Sequence, residues 1–272
     1  MGDASVSRLG VVGNISIDRS HRIGLPGSVG IGGAALHVAL AAARGGLASR
    51  PISVVGPDLE MIRCDPRVSV LDLSGVRTVD GRSAVFTLNY DDNEVLVSSE
   101  ADYGVSTHLT AHALEEICAR RDSCFHVCCR RPLDIVRVLD VLVRAAAPFS
   151  LDFFLPSAAE SIAAAATALP HAHLVFANAA EYDLITNTVP TRALRDVVLT
   201  DGPRPVQLLR SGRCLARAAP PQVRTVDVTG SGDTLAGTFL AAKAGDLHDA
   251  AALERAVRAA SAHAASPAFQ LG

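Results

Sequence analysis

Short apolar runs rich in β-branched residues alternate with alanine-rich helical runs along most of the chain. The apolar runs predict six strands, over residues 9–13, 52–55, 124–128, 149–152, 174–177 and 197–199. The segments between them have helical spacing and predict five helices, over residues 33–44, 109–119, 133–144, 157–168 and 181–185. Alternating strands and helices are typical of a mostly parallel sheet flanked by helices on both faces. The pattern therefore predicts an α/β fold.

Two segments, residues 18–30 and 84–98, break the alternation and have the pattern of β-ribbons. The second contains Asp91-Asp92-Asn93, residues that favour a turn between two strands. We expect these ribbons to form a small β-sheet lid on the α/β body. No linker rich in Pro, Gly or Ser divides the chain, which predicts one domain over residues 1–272. An exposed edge of the lid is a plausible surface for a homodimer.

The amino-acid composition argues against two classes of binding partner, nucleic acids and membranes. The chain is 49% hydrophobic and 19% charged with a net charge of −3, and no segment collects a block of Lys and Arg. Nucleic-acid binding is therefore not expected, because it needs a basic footprint. No apolar run approaches the ~20 residues of a membrane span, so no membrane partner is expected. A polar turn at Gly13-Asn14 interrupts any secretory signal, which predicts a cytoplasmic protein.

The cysteines and the single lysine exclude two kinds of site. Six cysteines are scattered without paired C-x-x-C spacing, so they are expected to be buried thiols and not zinc ligands. Lys243 is the only lysine, and no G-x-x-x-x-G-K-[ST] string occurs. A Walker-type nucleotide-binding loop is therefore excluded.

The most informative string runs from Asp227 to Thr234, Asp-Val-Thr-Gly-Ser-Gly-Asp-Thr, and is followed by residues at helical spacing. Two glycines around Ser231 at the start of a helix leave backbone N–H groups uncrowded, and the helix dipole adds positive charge there. This pattern predicts an anion cradle with a carboxylate, Asp233, held ionised beside it. The alternative is that residues 230–233 are only a turn and a helix cap.

The string resembles the second signature of the ribokinase or PfkB family of carbohydrate and nucleoside kinases, D-T-x-G-A-G-D, from which only Val228 and Ser231 depart. The resemblance implies ATP and Mg²⁺ as cofactors. It also implies that Asp233 is the base toward the acceptor hydroxyl. The positive field at the helix start predicts that the pKa of Asp233 is depressed below its usual value. The amides of Gly230, Ser231 and Gly232 would stabilise the transferring phosphoryl group.

A second match to the same family lies near the N-terminus. Asp18 follows the first strand, and Gly32-Gly33 opens a helix. The resemblance assigns Asp18, Gly32 and Gly33 to the acceptor pocket, where a carboxylate accepts hydrogen bonds from neighbouring hydroxyls and a glycine allows close approach. Relatives usually carry Asn where this chain has His37, so we expect a changed substrate contact there. The alternative is a buried helix histidine with no contact to substrate.

A third match concerns the nucleotide. Asn178 and Glu181 resemble the family's N-x-x-E motif, which implies a nucleotide contact at Asn178 and binding of Mg²⁺ through water at Glu181. Asn178 is equally compatible with a simple helix cap. Thr200, Asp201 and Gly202 resemble the loop that covers the nucleotide phosphates.

One departure limits the resemblance. Residues 151–155 fall where relatives often have D-x-N-x-R, and here both the Asn and the Arg are absent. The missing cationic contact would have to come from elsewhere, and Arg130 and Arg131 are the candidates.

The resemblance implies ATP-dependent phosphoryl transfer to a hydroxyl of a small sugar. A nucleoside kinase of the same family, or a kinase-like binding protein with impaired catalysis, are the alternatives. Low aromatic content, with 3 Tyr and no Trp, slightly favours sugars over nucleosides, although phenylalanines at 86, 153 and 154 could stack a base. Residues 30–35 also satisfy G-x-G-x-x-[GA], but no strand directly precedes them, as a dinucleotide site requires.

Overall fold

The computed structural model describes residues 8–22, 27–91, 96–119, 122, 124–226 and 228–266. Thirteen strands in this part of the chain are β1 Leu9–Val12, β2 Ser16–Arg22, β3 Ser28–Gly32, β4 Ser49–Val55, β5 Val76–Thr78, β6 Ala84–Tyr90, β7 Leu96–Asp102, β8 Cys124–Cys129, β9 Phe149–Phe153, β10 Leu174–Asn178, β11 Asp196–Thr200, β12 Val206–Arg210 and β13 Arg213–Ala218. The helices there are α1 Ala34–Arg44, α2 Leu109–Cys118, α3 Ile135–Arg144, α4 Ala158–Ala165, α5 Ala179–Thr188, α6 Ser231–Ala244 and α7 Asp249–Ala264. None of the helices in these ranges is long and apolar enough to cross a membrane.

The large sheet has nine strands in the order β13-β12-β11-β10-β9-β8-β1-β4-β5. Its strands run parallel from β11 to β5, and only β12 and β13 are antiparallel to their neighbours. In parallel strands the carboxyl ends all meet at one edge of the sheet, where α/β proteins place their ligands. The loops that follow β1, β8, β9 and β10 are therefore brought together.

The small sheet has four strands in the order β3-β2-β6-β7. Strand β2 pairs parallel with β6, so that Asp18 is in register with Phe86. Strand β7 runs antiparallel to β6 and sets Leu88 opposite Ser99. The expected small β-sheet is thus present, whereas the connections at 23–26 and 92–95, including the predicted turn, lie outside the described residues.

Apolar side chains on the two faces of the large sheet form two cores. One lies against α1, α6 and α7, and includes Leu36, Phe176 and Phe239. The other lies against α2, α3, α4 and α5, and includes Leu139 and Ile162. Helices on both faces of a mostly parallel sheet confirm the predicted fold class.

The predicted elements of the sheet agree with the observed ones to within a few residues, but sequence patterns did not find β5, β12, β13 or α7. The largest discrepancy among the predicted strands is β4, which begins at Ser49 and not at residue 52. The apolar pattern missed the start of this strand because Arg50 is charged. In the structure Arg50 is nevertheless fully buried, and it bonds to Asp122 and Glu116.

The expectation that the cysteines are buried thiols was wrong for half of them. Cys128 and Cys129 are buried and Cys124 is half-buried, but Cys64, Cys118 and Cys214 are exposed. The first three lie on a central strand of the large sheet, whereas the others lie at helix ends or on the edge strand, where solvent reaches them.

Candidate active site

A cavity of about 870 Å³ lies between the carboxyl ends of the central strands, the lid and the N-terminus of α6. Its walls contain residues from every matched motif: Asn14, Asp18, Gly33, His37, Asn178, Glu181, Thr200, Gly230, Gly232 and Asp233. The small sheet contributes Ser16, Phe86, Leu88, Val97, Ser98 and Ser99. The register of β2, β6 and β7 sets Ser16, Phe86, Leu88 and Ser99 on one face of this sheet. The carboxyl ends of the parallel strands meet at this edge of the sheet and therefore bring together residues that are far apart in sequence.

The Gly32-Gly33 pair is explained by close approaches. A Cβ atom on Gly32 would sit 1.9 Å from Oδ2 of Asp18, so the carboxylate lies directly against the glycine backbone. Gly33 has φ of 99°, and its Cβ would sit 2.2 Å from the carbonyl oxygen of Asn14. Ser16 donates a hydrogen bond of 2.6 Å to Oδ1 of Asp18, which orients the carboxylate toward the cavity.

His37 lines the cavity and is not enclosed within the core. Its ring lies against Gly230, where a Cβ atom would sit 3.0 Å from the ring carbon Cγ. On its other side the ring packs edge-on against His263 at 5.7 Å between centroids, and His263 bonds to the carbonyl oxygen of Thr229 at 2.7 Å. His37 therefore supports the turn before α6 as well as lining the acceptor side of the cavity.

The turn before α6 has the open backbone that an anion cradle needs, with two of the three predicted amides available. Gly230 is in the left-handed region with φ of 76°, and no atom lies within 4 Å of where a Cβ of Gly232 would sit. Within the described part of the chain, the amides of Gly232 and Asp233 have no backbone acceptor, while the amide of Ser231 donates to the Val228 carbonyl at 3.1 Å. The cradle thus differs from the expected one, because the tight turn uses the Ser231 amide. Asp227 lies outside the described residues.

Asp233 stands in the first turn of α6, and its side chain is 14% exposed. Burial raises its pKa to about 6, and the nearby Asp152 adds to the rise, while Arg130 opposes it. The expectation of a depressed pKa was therefore wrong, because burial beside a second carboxylate outweighs the positive field of the helix N-terminus. A pKa near the working pH makes Asp233 a more effective proton acceptor than a depressed one.

A buried chain of polar groups supports this carboxylate. The Arg130 guanidinium donates to Asp152 at 2.8 Å and lies 3.8 Å from Oδ1 of Asp233. Burial acts to raise the pKa of Asp152, but Arg130 and His126 outweigh it, so the pKa is lowered and Asp152 is ionised. His126 lies 3.8 Å from Asp152 and bonds through Nδ1 to the Ser150 hydroxyl at 2.8 Å. Arg131, the other candidate cation, pairs instead with Glu160.

Asn178 and Glu181 form a capping box at the start of α5. The Asn178 side chain accepts from the Glu181 amide, and Glu181 accepts from the Asn178 amide, both at 2.9 Å. Both side chains also line the cavity, and burial raises the pKa of Glu181. The cap and the functional interpretation of this motif are therefore compatible.

The structure brings only one residue of the predicted phosphate-covering loop, residues 200–202, to the cavity. Thr200, at the carboxyl end of β11, lines it. Asp201 and Gly202 are not among its lining residues, and Asp201 pairs with Arg204 at 2.6 Å. Gly202 adopts the left-handed region with φ of 56° in the turn that follows Thr200.

Hard oxygen donors are available for Mg²⁺. Asp152 Oδ1 is buried and has no hydrogen-bond partner among the described residues, and the Glu181 and Asn178 side chains line the same cavity. This donor set fits a cation that prefers carboxylate oxygens and water. His126, Cys128 and Asp152 also offer ligand atoms within 4.8 Å of one another, but burial raises the pKa of the Cys128 thiol, and a protonated thiol is a poor metal ligand.

Motif reasoning did not assign Asn14, Asp152 and Leu88 to the site, and it considered Phe86 only as a possible surface for a base. Asn14 was detectable only as the residue that follows the first strand. Phe86 and Leu88 occupy alternate positions of a ribbon, so the period-two pattern fixes their common face but not which face meets the cavity.

A cavity that combines a helix N-terminus, a buried carboxylate and a neighbouring small sheet is typical of a phosphoryl-transfer site. The sequence matches the description pfkB family carbohydrate kinase over residues 18–271. The chain belongs to this family and is an ATP-dependent kinase with a sugar or a nucleoside as acceptor. No curated protein matches it.

Solved structures show the same fold. A nucleoside kinase of Burkholderia thailandensis in complex with inosine has 19% identity and a TM-score of 0.80, with 97% of this chain and 93% of that chain covered. The adenosine kinase of Sinorhizobium meliloti has 16% identity and a TM-score of 0.73, with coverages of 95% and 92%. A candidate ribokinase II from E. coli, in complex with ATP and Mg²⁺, has 16% identity and a TM-score of 0.79, with coverages of 96% and 94%.

Proposed function

We propose that the protein transfers the γ-phosphoryl group of ATP to a hydroxyl of a nucleoside. The observation that carries the acceptor class is the register of the lid, which sets Phe86 beside Asp18 on the face that lines the cavity. Asp18 supplies the acceptor for ribose hydroxyls, and the Phe86 ring supplies an apolar surface for a base. A free sugar needs the first group but not the second.

Further apolar groups extend this surface. Leu88 and Val97 continue it along the lid, and residues 153–156, Phe-Phe-Leu-Pro, line the cavity on the side of the large sheet. Apolar walls with a few polar groups fixing orientation are typical of sites for amphipathic ligands. The slight preference for sugars based on low aromatic content does not take account of this concentration of aromatic side chains at one site.

The acceptor is oriented by three groups. Asp18, fixed by the Ser16 hydroxyl, accepts hydrogen bonds from two neighbouring hydroxyls, while Gly33 lets the ring approach the backbone. The lid excludes water from the bound acceptor, which suppresses transfer to water. Orientation of the acceptor and exclusion of water together supply a large part of the rate enhancement in phosphoryl transfer.

The residues at the start of α6 accept the proton of the acceptor hydroxyl and stabilise the charge on the transferring phosphoryl group. Asp233 accepts the proton of the attacking hydroxyl, and the amides of Gly232 and Asp233 stabilise the charge on the transferring group. Asn178 and Thr200 lie on the nucleotide side of the cavity. Mg²⁺, when bound with ATP, would neutralise phosphate charge, and Asp152 and Glu181 would hold it, with Glu181 acting through water.

A screen with matched controls tests the acceptor class. Thermal shift and ADP production are measured with ribose, inosine and adenosine, each with and without MgATP. We expect inosine or adenosine to be phosphorylated with kcat/KM about 5- to 150-fold above ribose, since base stacking contributes about 1–3 kcal/mol. Phe86→Ala should remove this preference and leave turnover of ribose within about threefold.

The outcomes of this screen distinguish a failure of the nucleoside assignment from a failure of the kinase activity. Preference for ribose in the wild type would contradict the nucleoside acceptor but not the kinase activity. Stabilisation by a nucleoside without ADP production would favour the binding protein with impaired catalysis. The pairing of two copies through the lid edge stays a prediction, which sedimentation of the purified chain would test.

A further inference from the structure

The cavity holds one fixed cation. Among the described residues that line it, Arg130 is the only arginine or lysine. The sole lysine, Lys243, lies at the far end of α6 and pairs with Asp249 at 2.8 Å. That end is about 18 Å from the cradle, given a rise of about 1.5 Å per helical residue. The usual arginine after β9 is absent, because residues 151–155 are Leu-Asp-Phe-Phe-Leu.

We propose that Arg130 is a catalytic residue that contacts the transferring phosphoryl group, and that Asp152 is the positioning residue that holds its guanidinium. This inference rests on the proposed function. It assigns the cationic contact to the carboxyl end of β8, one strand away from the position where the motif would supply it.

The guanidinium is held on two sides. It donates to Asp152 at 2.8 Å, and it lies over the ring of Phe154 at 5.5 Å from the centroid. It remains 3.8 Å from the carboxylate of Asp233, and its side chain is 16% exposed to the cavity. The Nε atom is buried without a hydrogen-bond partner in the described part of the chain. A planar donor fork held in this way fits phosphate oxygens better than an ammonium group would.

Arg130 lies close to the place where negative charge develops on the transferring phosphoryl group. The acceptor oxygen forms a bond to the γ-phosphorus, its proton passes to Asp233, and the bond from phosphorus to the bridging oxygen breaks to release ADP. The hydroxyl that Asp233 deprotonates lies next to the phosphorus, so a cation 3.8 Å from Asp233 is close to the equatorial oxygens. His126 and Ser150 support Asp152 from behind, which limits its movement.

The test compares Arg130→Gln with Arg130→Lys, and takes Arg131→Gln as the matched control. Arg131 is the neighbouring residue, and its side chain is 61% exposed and paired with Glu160. With inosine and MgATP we expect kcat of Arg130→Gln to fall by ~10² to 10³, the loss typical of removing one preorganised donor to the transition state. Arg130→Lys should recover only part of this loss, because it keeps the charge without the fork. The KM for ATP should stay within about threefold, and Arg131→Gln should behave as the wild type.

A double variant separates a catalytic from a structural role. If Arg130 only neutralises Asp152, then Arg130→Gln combined with Asp152→Asn should recover turnover, which would overturn the inference. If Arg130 contacts the phosphoryl group, the double variant stays as slow as Arg130→Gln alone at saturating Mg²⁺. Turnover is followed over a Mg²⁺ titration because Asp152 also belongs to the proposed metal site, so weaker metal binding raises the Mg²⁺ requirement and does not lower the plateau.

Binding of a transition-state mimic gives a readout without turnover. Calorimetry with MgADP, aluminium fluoride and inosine should show tighter nucleotide binding than MgADP with inosine alone, and Arg130→Gln should lose this gain while keeping its affinity for MgADP. Retention of the gain in Arg130→Gln would overturn the role of Arg130 alone. Absence of the gain in the wild type would overturn the proposed function as well.

Discussion

The carboxylate of Asp18 lies directly on the backbone of Gly32. A methyl group on Gly32 would sit 1.9 Å from Oδ2 of Asp18, far inside contact distance. Gly32 ends β3 and is paired with Ser16 of β2, the residue whose hydroxyl orients the same carboxylate. The position of the acceptor-binding group is therefore set by a glycine on the neighbouring strand.

Gly32→Ala should displace Asp18 from the acceptor. We expect the acceptor KM to rise by roughly tenfold or more, because hydrogen bonds to a charged group contribute about 1.5–3 kcal/mol. The KM for ATP should change little. Gly245→Ala is the control, since its Cβ would meet only atoms at 3.6 and 3.7 Å. Equal changes in both KM values, measured by steady-state kinetics, would count against a separate acceptor pocket.

Asp233→Asn should abolish turnover and stabilise the fold. Removal of a general base costs ~10² to 10⁴ in kcat. Because the folded pKa of Asp233, about 6, exceeds the unfolded value, ionisation above pH 6 costs the folded state free energy. The variant should therefore gain about 1–3 kcal/mol in free energy of unfolding at pH 8, and the gain should vanish as the pH falls below about 4.

Urea unfolding at both pH values measures this effect. Asp183→Asn, on the exposed side of α5, is the control and should change stability little at either pH. A destabilised Asp233→Asn at pH 8 would contradict the raised pKa. Turnover above about a tenth of the wild-type rate would contradict the role of Asp233 as base.

The same pKa predicts the pH dependence of catalysis. Asp233 accepts a proton only when ionised, so kcat/KM should fall about tenfold per pH unit below an apparent pKa near 6. The loss should be reversible on return to pH 8. A profile that stays flat down to pH 4.5 would show that no group with a raised pKa acts as the base.

The buried ion pairs of Arg50 predict a large effect on stability far from the cavity. Arg50 is fully buried and bonds to Asp122 and Glu116, so Arg50→Met leaves two buried carboxylates without their partner. We expect a loss of about 3–5 kcal/mol in the free energy of unfolding. Arg77→Met is the control, because its pair with Glu115 is exposed and contributes about 0–1 kcal/mol. Similar losses for both variants in urea unfolding would contradict this account.

The sequence determined the elements and most of the site because both depend on local patterns. Alternating apolar and alanine-rich runs predict the central strands and helices, and strand ends in a parallel sheet share one edge. The glycines around Ser231 and the Asp18 and Gly32-Gly33 strings needed only short-range backbone geometry. Strands β12 and β13 were not found, because the apolar part of β12 is only a few residues long and the edge strand β13 is interrupted by arginines and largely exposed.

Only the tertiary structure decided the electrostatics of the site. The helix start alone predicts a depressed pKa for Asp233, but Asp152 and burial, supplied by other elements, reverse the direction. The choice between Arg130 and Arg131 was also open in the sequence, since the two are adjacent and identical. Successive residues leaving a strand point to different sides, so Arg130 turns toward Asp152 and Arg131 toward Glu160. The field at a buried carboxylate depends on such distant groups, which no local pattern specifies.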